Sequence, residues 1–555
     1  MLISALTAIL AVGANLVSAA TADEWRNRAI YQIITDRFAP PSDNAPARTE
    51  PLPLECNTAD QTWCGGTWLS IIDKLDYIKN MGFDAIWISP TSQNIDYQTP
   101  YNYAYHGYWV NDLTKINLRF GSEDDLHKLV DEVHKRDMYI MVDVAINGIP
   151  SLSNTTIPPE GSMWTKAEQF HDFCQIDWAT ELTNDKQIKD CSLGDSNLWL
   201  IDVNTENPEV VATLRSWISE YVATYKIDGL RIDAAKHVPG EFWTGFCGAG
   251  GVFCIGEVFD DRIDYTSAFQ KEKWMDSILG FPFYNGLVKA FSVEPRRNMT
   301  ELTERIIGTL EQFPDPGVLG NFIENHDTPR FKNITADPRL VYNAMVGQFL
   351  FDGIPVLYYG QEQDMAWGNA DPHNRGALWA LGYENITTVQ TVTRLNKIRQ
   401  GFIKGNATYN GQTYLQSRSQ IVANTTYDVA IRKGPILMTL TNRGSPEEAA
   451  SFSIQNTGWQ RGEALIDLLS CLDYAVGSGG SLSISYSRQG YGGLPYVFAT
   501  VEDARHLGIC NNDQLGIVVS NTTTGNTRNA GAVAVAPSSL FALVAGAAAL
   551  AVLTL

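Results

Sequence analysis

Eight short apolar runs, separated by amphipathic stretches, constrain the fold of this chain more than any other feature. The runs are rich in β-branched and aromatic residues and cover residues 30–35, 85–89, 139–146, 227–232, 252–258, 277–281, 321–324 and 354–359. Helical patterns lie between several of them, as over residues 209–225, where Val210, Leu214, Trp217 and Tyr221 are spaced for one buried face. This alternation predicts an α/β protein with a closed (β/α)8 TIM barrel. An open doubly wound sheet is the alternative, but such a sheet usually carries a glycine-rich nucleotide loop, which the sequence lacks.

Two segments depart from the strand and helix alternation. The connection after the third run, residues 148–203, is rich in Pro, Ser, Asn and Asp and is too long for a simple loop, which predicts an inserted domain. Residues 401–515 contain alternating segments separated by turns, which predict a C-terminal antiparallel β-sandwich domain. The barrel, expected to be the catalytic domain, then covers residues 21–400, and the small polar residues of 516–539 form a linker.

Both ends of the chain look like processing signals. Residues 1–20 are apolar and end in small residues, which predicts a cleaved secretory signal peptide. Residues 540–555 form a hydrophobic tail after a spacer and a small trio at 529–531, the layout of a glycolipid (GPI) anchor signal. A membrane span is the alternative, but the tail is short for a bilayer of about 30 Å and no basic residue follows it. We therefore expect a secreted protein that is GPI-anchored at the cell surface, in the plasma membrane or cell wall.

The cysteines indicate the same compartment, because an even count in an exported chain predicts disulfides. Neighbours along the sequence are expected to pair, namely Cys56 with Cys64, Cys174 with Cys191, Cys247 with Cys254, and Cys471 with Cys510. A zinc site is the weaker alternative, since the cysteines do not cluster as metal ligands do. Sequons such as those at Asn154 and Asn333 offer glycan sites.

The charge of the chain narrows the choice of partner. A net charge of −21 argues against a nucleic-acid partner, because phosphate binding needs clustered Lys and Arg. A neutral substrate fits better, and we expect the protein to be a monomer.

Acidic residues stand at the ends of the fourth and fifth runs, where barrel enzymes carry their reactive side chains. Arg231 and Asp233 lie on one face of a strand because side chains alternate, and the guanidinium would keep the carboxylate ionised, as a nucleophile requires. A structural ion pair is the alternative. Glu257 follows an apolar run, so partial desolvation would raise its pKa and suit it to protonate a leaving oxygen.

The seventh run ends in a further acid beside an imidazole, Asp327 after His326. Alone, such a pair is more often structural or metal-binding than part of a triad. Retaining glycoside cleavage needs two carboxyl groups about 5 to 5.5 Å apart, one attacking the sugar and one protonating the departing oxygen. Three acids on neighbouring strand ends supply that pair and one more to hold hydroxyl groups.

Seven blocks of sequence carry a resemblance to a known family. They are GFDAIWISP (82–90), YHGYW (105–109), DVAIN (143–147), GLRIDAAKH (229–237), GEVFD (256–260), FIENHD (322–327) and GIPVLYYGQEQ (353–363). In this order they resemble the characteristic regions of the α-amylase family, glycoside hydrolase family 13, in its fungal branch. The resemblance implies a retaining enzyme acting on α-1,4-glucan or maltooligosaccharides. It assigns Asp233 as nucleophile, Glu257 as acid/base and Asp327 as the carboxylate that stabilises the distorted, positively charged sugar.

The same resemblance implies binding roles around the cut bond. The residues that would hold glucose units are Arg231, His326, His106, Tyr108, Trp109, Lys236, Asp371 and Arg375. For Tyr108 and Trp109, core packing is the alternative. The family's structural calcium would be bound by Asn147, Asp202 and the backbone oxygens of His237 and Lys189, since calcium takes oxygen ligands.

One departure from the fungal pattern bears on the reaction. Fungal amylases follow the asparagine of the DVAIN block with a histidine that binds the sugar, whereas this chain has Asn147 followed by Gly148. With the anchor signal, this makes the chain resemble glycolipid-anchored, amylase-like 4-α-glucanotransferases of fungal cell-wall α-glucan metabolism. The alternatives are an α-amylase acting mainly as a hydrolase and, from another class, a non-catalytic wall-bound α-glucan-binding protein. Retention of all three acids argues against the last.

Overall fold

The computed structural model describes residues 20–41, 56–180, 184–292, 299–405, 407–445, 450–486 and 493–510. The predicted linker and hydrophobic tail lie outside these ranges, as does nearly all of the predicted signal peptide. Ala20, the last residue of that predicted segment, is buried beneath the barrel, and its carbonyl accepts a hydrogen bond from the Phe253 amide at 3.2 Å. Within the described ranges, no helix is both long and apolar enough to cross a bilayer.

All eight predicted runs form strands of one parallel barrel. The strands are β1 (Ile30–Ile33), β2 (Ala85–Ile88), β3 (Tyr139–Val144), β4 (Gly229–Ile232), β5 (Phe253–Gly256), β6 (Ser277–Ile278), β7 (Gly320–Asn321) and β8 (Ile354–Tyr358). Their order in the sheet is β6-β5-β4-β3-β2-β1-β8-β7. Leu279 bridges Gly320, and the Gly280 amide donates to the Gly320 carbonyl at 2.8 Å, which joins the two outer strands and closes the barrel.

Helices surround the barrel, as the sequence predicts. They are Trp68–Ile72, Leu75–Asn80, Glu123–Lys135, Pro208–Tyr225, Gly240–Gly250, Ile263–Lys271, Phe281–Phe291, Thr300–Gln312, Pro338–Leu350 and Thr387–Lys404, with short helices at Ala22–Trp25, Thr35–Phe38 and Phe331–Ile334. In Pro208–Tyr225 the buried face includes Ile218, whereas Trp217, predicted to be buried, is only partly covered. A helix turns by about 100° per residue, so these neighbours lie at the edge of one stripe.

Strand alternation explains why the polar site lies at the carboxyl end of the barrel. Met141 points into the lower barrel core, and Asp143, two residues later, points inward one layer higher. Gly229 and Arg231 are paired with these two residues across the sheet. Since inward positions recur every second residue, an apolar layer below gives way to a charged layer above.

Within residues 148–203, predicted as an inserted domain, the strands Gly148–Ser151, Leu198–Asp202 and Leu193–Asp195 form a small antiparallel sheet, and the described residues also include the helix Asp185–Asp190. A separate hairpin, Ser92–Asn94 with Val110–Ile116, follows β2.

The C-terminal domain is a sandwich of antiparallel strands. A six-stranded sheet contains Gln420–Asn424, Asp428–Lys433, Ile436–Thr441, Tyr496–Thr500, Ala464–Asp467 and Asp473–Ala475, and a two-stranded sheet pairs Ser451–Ile454 with Leu482–Ser485. The short hairpin Thr408–Tyr409 and Gln412–Thr413 precedes them, and the helix Val501–His506 follows. Phe452 and Ile484 of the small sheet share a buried core with Leu437 and Phe498 of the large one.

The disulfides confirm the predicted pairing in full, with bonds Cys56–Cys64, Cys174–Cys191, Cys247–Cys254 and Cys471–Cys510. The second of these crosslinks the inserted domain, and the third ties the helix Gly240–Gly250 to β5.

Candidate active site

One buried guanidinium organises the floor of the cleft at the carboxyl end of the barrel. Arg231 has no exposed surface, and its Nη1 donates to Asp143 at 2.8 Å and to Asp233 at 2.7 Å. Its Nη2 lies 2.9 Å from the Glu257 carboxylate. The structure therefore brings Asp233 and Glu257 together through one side chain, although they belong to different strand ends.

Glu257 and Asp233 experience opposing influences on their pKa values. Burial raises the pKa of both carboxyl groups, while the nearby Arg231 charge lowers both. The Glu257 carboxylate accepts one backbone hydrogen bond, from the Ala234 amide at 3.0 Å. Asp233 retains 26% side-chain exposure, so it faces the open cleft.

Asp143 is a site residue that the sequence analysis did not single out, although it begins the DVAIN block. It lies at the end of β3 beside Arg231 and also accepts hydrogen bonds from Trp87 Nε1 at 3.0 Å and the Tyr108 hydroxyl at 2.8 Å. Burial raises its pKa to about 6 against the opposing charge of Arg231. Alternation along β3 was the signal that could have identified it, because Asp143 follows inward-facing Met141 by two residues.

Asp327 stands on the opposite wall, held by two groups that the sequence predicted. Arg375 Nη2 donates to its Oδ1 at 3.0 Å, and His326 Nε2 lies 3.0 Å from its Oδ2. Arg375 Nη1 also pairs with Asp371 at 3.0 Å, and Tyr105 donates its hydroxyl to Asp371 at 3.2 Å. The three acids Asp233, Glu257 and Asp327 thus converge on one cleft.

The two predicted histidines are neutral hydrogen-bonding groups. Burial lowers the pKa of His106 and His326 well below the usual range, and the nearby arginine charges add to this shift. His106 Nδ1 accepts from the Tyr108 amide at 3.0 Å, so the proton of the neutral ring is on Nε2. Tyr108 stacks on His326 with ring centroids 5.0 Å apart, and Trp109 packs edge-on against His106 at 4.7 Å. Both aromatic residues therefore belong to the wall of the site and are only partly buried.

Two cavities meet at the carboxyl groups. The first, of about 380 Å³, is lined by Asp233 and Asp327 together with His106, Tyr108, Asp371 and Arg375, and it extends to Tyr101, Gly194 and Leu200. The second, of about 490 Å³, is lined by Asp233, Asp327 and Glu257 together with Lys236, Trp178 and Phe259. Lys236 Nζ is 3.1 Å from Asp260, so this predicted binding residue is held by an ion pair at the cavity wall. Trp178 and Phe259 are about half exposed, and neither was among the site residues predicted from the sequence.

Two of the four predicted calcium ligands are in direct contact, and the other two are linked only through a neighbouring residue. Asn147 Nδ2 donates to Asp202 at 2.9 Å, and His237 Nδ1 lies 2.9 Å from the carbonyl of Ile188, the residue before Lys189. Asn147 Oδ1 is buried without a hydrogen-bond partner, so it has an unsatisfied oxygen of the kind calcium takes. The Lys189 ammonium pairs with Asp185 at 2.5 Å. The unsatisfied Asn147 oxygen beside the buried Asp202 carboxyl group fits one side of a calcium site.

A second group of potential ligands lies next to Asp202. His171, Asp190 and Glu206 have ligand atoms within 4.8 Å of one another, and His171 Nδ1 is 2.6 Å from Asp202. These residues lie far apart in the sequence, so no local spacing predicts that they form a group of potential metal ligands.

Comparisons with known proteins agree with this geometry. The sequence matches the family description "Alpha amylase, catalytic domain" over residues 32–375 and "Alpha-amylase, domain C" over residues 421–516. It is 38% identical to "Alpha-amylase 1" of Schwanniomyces occidentalis, with 88% of this chain and 93% of that protein covered. It is also 38% identical to "Alpha-amylase mde5" of Schizosaccharomyces pombe, with 80% and 83% covered. The fold is similar to the solved α-amylase of Malbranchea cinnamomea, with a TM-score of 0.79, 35% identity, and 89% and 100% coverage.

Proposed function

This chain belongs to the α-amylase family of glycoside hydrolases, and on that premise we propose that it is a 4-α-glucanotransferase working through a glycosyl-Asp233 intermediate. As a family member it acts on α-1,4-glucan. We further propose which residues act as nucleophile and acid/base, and that a sugar is preferred over water as the acceptor. The catalytic roles of Asp233 and Glu257 rest on one observation. Both carboxyl groups contact Arg231, and they therefore lie side by side. Retention needs such groups about 5 Å apart.

The family resemblance assigns the catalytic proton to Glu257, and the contacts of the neighbouring carboxyl groups are compatible with this assignment. Three carboxyl groups contact one buried guanidinium, so like charges disfavour ionising all of them. Asp143 accepts from Trp87, Tyr108 and Arg231, and Asp233 accepts from Arg231 at 2.7 Å, which favours their ionised forms. Glu257 accepts from the Ala234 amide at 3.0 Å and contacts Arg231 at 2.9 Å, and we assign it as the acid on the family resemblance.

The reaction then proceeds as two displacements at the anomeric carbon. Asp233 attacks, the bond to the leaving oxygen breaks, and Glu257 gives that oxygen its proton. Glu257, now a carboxylate, takes a proton from the incoming hydroxyl, which displaces Asp233. Asp327, held by Arg375 and His326, is positioned to bind sugar hydroxyls beside the developing positive charge.

The position of the acid distinguishes the two sides of the cleft. Because Glu257 must reach the leaving oxygen, the cavity that it lines holds the leaving group and the acceptor; we call it the acceptor cavity. The other cavity, lined by His106, Tyr108, Asp371 and Arg375, holds the glycosyl donor; we call it the donor cavity.

A glycine at position 148 lacks a side chain that could bind the donor sugar, which supports weaker binding of that sugar. Fungal relatives are expected to have a histidine there, but a Cβ at Gly148 would lie 2.8 Å from the Leu200 Cβ. Leu200 lines the donor cavity, so an apolar side chain occupies space beside the missing imidazole. Losing one hydrogen bond costs about 0.5 to 1.5 kcal/mol.

Two exposed aromatic rings support acceptor binding. Trp178 and Phe259 are 54% and 52% exposed, and both line the acceptor cavity near Glu257. Aromatic rings that line a cavity suit the apolar C–H faces of sugars, with charged groups fixing orientation. A sugar held there would compete with water for the intermediate.

Incubation with maltopentaose tests the proposal. We expect products longer than the substrate, because a second maltopentaose molecule accepts the glycosyl group. Trp178→Ala and Phe259→Ala should reduce the ratio of elongated products to free reducing ends. Trp367→Ala, which removes an exposed tryptophan outside both cavities, is the matched control and should leave the ratio unchanged. Products confined to shorter sugars would refute transfer.

Hydrolysis is the second candidate, favoured by the relatives named as α-amylases. In that case water attacks the same intermediate, and the same assay gives only shorter sugars. A protein that binds glucan without changing it would instead indicate a non-catalytic wall protein.

We also propose a bound calcium ion at Asn147, Asp202 and the main-chain oxygens of His237 and Lys189. When bound, calcium supplies charge that holds oxygen ligands of the inserted domain and the barrel together. The partnerless Asn147 Oδ1 and the buried Asp202 carboxyl support this assignment.

Export and anchoring are proposed on the sequence signals, and the disulfides support an oxidising compartment. A phosphatidylinositol-specific phospholipase should release active enzyme from intact cells. Retention on the cells after digestion would argue against a glycolipid anchor.

A further inference from the structure

Three separate segments of the chain meet beside Gln61, Tyr101 and Gly194, which line the donor cavity. They are the loop closed by Cys56–Cys64, the hairpin loop around Tyr101, and the turn around residues 195–197 of the inserted domain. The Tyr101 hydroxyl donates to the Asp195 carboxylate, and Asn197 Nδ2 donates to the Tyr101 hydroxyl at 3.1 Å. We call Tyr101, Asp195 and Asn197 the donor-end bridge.

The barrel side of the bridge is fixed to the disulfide loop. The Tyr103 amide donates to the Gln61 carbonyl at 3.1 Å, and Asn102 Nδ2 donates to the Asp60 carbonyl. Thr99 and Asn102 exchange backbone hydrogen bonds of 2.9 and 2.8 Å, which close a tight turn around Tyr101. These hydrogen bonds hold the loop that contains Tyr101 in place.

Hydrogen bonds also fix the turn that contains Asp195 and Asn197 on the other side of the bridge. Asp195 ends one strand and Leu198 begins the next, and the Asn197 amide donates to Asp195 Oδ1 at 2.8 Å across the turn. The hydrogen bond from Tyr101 lowers the pKa of Asp195, so the acceptor is a carboxylate. A hydrogen bond to an ionised acceptor is stronger than one between neutral groups.

The contacts of the donor-end bridge lie beside the donor cavity, so they bear on how long a donor segment the cleft can hold. Gln61, Tyr101 and Gly194 line the same cavity as Asp233, Asp371 and Arg375, so the bridge lies along the donor path from the reacting carbon. On the other side of the carboxyl groups, Trp178 and Phe259 stand exposed beside the acceptor cavity.

We propose that the donor-end bridge closes the donor side of the cleft and so sets how many glucose units are taken from the non-reducing end. This inference rests on the proposed function, because it uses the donor and acceptor assignment given by Glu257. A longer donor segment would have to pass between Tyr101 and Asp195, which are joined. The enzyme therefore binds a limited donor and places the rest of a long substrate on the acceptor side.

Cleavage positions in maltoheptaose with a fluorescent label at its reducing end test the inference. The length of the labelled remnant reports the bond cut, whether water or a sugar accepts the donor. Tyr101→Ala and Asp195→Ala should each shift the labelled remnants toward shorter lengths, because longer donors can then enter. The double variant should give the same shift as either single variant, since each change breaks the same contact.

Control variants separate closure from a folding defect. Tyr101→Phe removes only the hydroxyl and should shift the remnants in the same direction. Tyr427→Phe, in the C-terminal domain, should leave them at wild-type lengths. Remnants of unchanged length in Tyr101→Phe and Asp195→Ala would overturn the inference.

The failures of the two proposals are distinguishable. A wild-type enzyme that only hydrolyses would refute transfer, while the remnant lengths would still decide on the bridge. A wild-type enzyme that leaves labelled maltoheptaose intact would overturn both.

Discussion

At the residue scale, Arg231 determines how the carboxyl groups can work together. It has no exposed surface, and it contacts Asp143, Asp233 and Glu257, which come from three adjacent strand ends. The charge is costly to bury unless it is paired, so each carboxylate contributes to folding as well as to chemistry. Asp143 is the most deeply buried of the three and has the most donors.

Replacing Asp143 with Asn should therefore destabilise the protein by about 3 kcal/mol, because one partner of a buried ion pair is lost. Chemical denaturation of the variant measures this change in the free energy of unfolding. Asp371→Asn is the control, since Asp371 pairs with Arg375 but its side chain is 45% exposed. An exposed pair contributes at most about 1 kcal/mol, and equal losses in the two variants would contradict the account.

The plot of kcat/KM against pH should be bell-shaped, and ionisation of Glu257 should cause the fall in activity on its basic side. Burial raises the pKa of Glu257, and the protonated form is the active acid, so activity is retained below that pKa and falls as pH rises through it. The limb should lie above pH 4.3, near which a free glutamate titrates, falling about tenfold per unit. Glu257→Gln should remove this limb when the substrate has a leaving group that needs no protonation. A limb unchanged in that variant would show that another group is the acid.

The acids of the site could be predicted from the sequence, but several of their neighbours could not. Alternation within one strand places Asp233 beside Arg231, whereas the contact between Arg231 and Asp143 requires two strands to pair in register. Trp178 and Tyr101 lie on long loops, where no periodicity reveals which side chains face the cleft. Phe259 follows Glu257 by two residues, and this spacing was its only local signal.

At the element scale, the barrel strands were predictable because each is an apolar run of strand length. The observed strands are shorter at their ends: β5 stops at Gly256, so Glu257 lies just beyond the sheet, and β6 and β7 have two residues each. Backbone leaving the sheet is what lets these residues face the cleft. The last barrel helix continues to Lys404, four residues past the expected boundary at 400.

Two glycines should respond in opposite ways to alanine. Gly148→Ala would place a Cβ 2.8 Å from the Leu200 Cβ between paired strands, and such overpacking typically costs about 1 to 3 kcal/mol. Gly248 lies in the helix Gly240–Gly250, where a Cβ would meet nothing within 4 Å. Gly248→Ala should stabilise the protein by about 0.5 to 1 kcal/mol, because alanine loses less backbone entropy. Thermal unfolding of both variants checks the signs, and destabilisation by Gly248→Ala would contradict the packing described.

At the scale of the whole molecule, the barrel, the C-terminal antiparallel domain and the disulfide pairing could be predicted from the sequence, because strand and helix patterns and short cysteine spacings are local features. The shape of the cleft could not, because its wall includes contacts between the hairpin loop and the segment predicted as an inserted domain, such as that of Tyr101 with Asp195. Contacts between distant segments leave no pattern in one sequence. The predicted anchor lies outside the described residues.

Removing calcium should loosen the inserted domain from the barrel. We expect a chelator to lower the melting temperature and added calcium, rather than magnesium, to restore it, since the proposed site offers flexible oxygen ligands. At a hundredfold excess over its dissociation constant, a ligand bound only by the folded state stabilises by about 2.7 kcal/mol. Asn147→Ala should reduce the response, and an Asn147→Ala protein that responds like the wild type would refute the assignment.

The central claim is that Asp233 attacks the sugar while Glu257 serves as acid and then base, and trapping the intermediate tests it most directly. Glu257→Gln enzyme incubated with α-maltosyl fluoride should accumulate the intermediate, because fluoride leaves without protonation while the following step lacks its base. Peptide mass spectrometry should find the maltosyl group on the peptide that contains Asp233, and Glu257→Gln/Asp233→Asn should remain unlabelled. A maltosyl group on any other residue, or label retained in that double variant, would contradict the account.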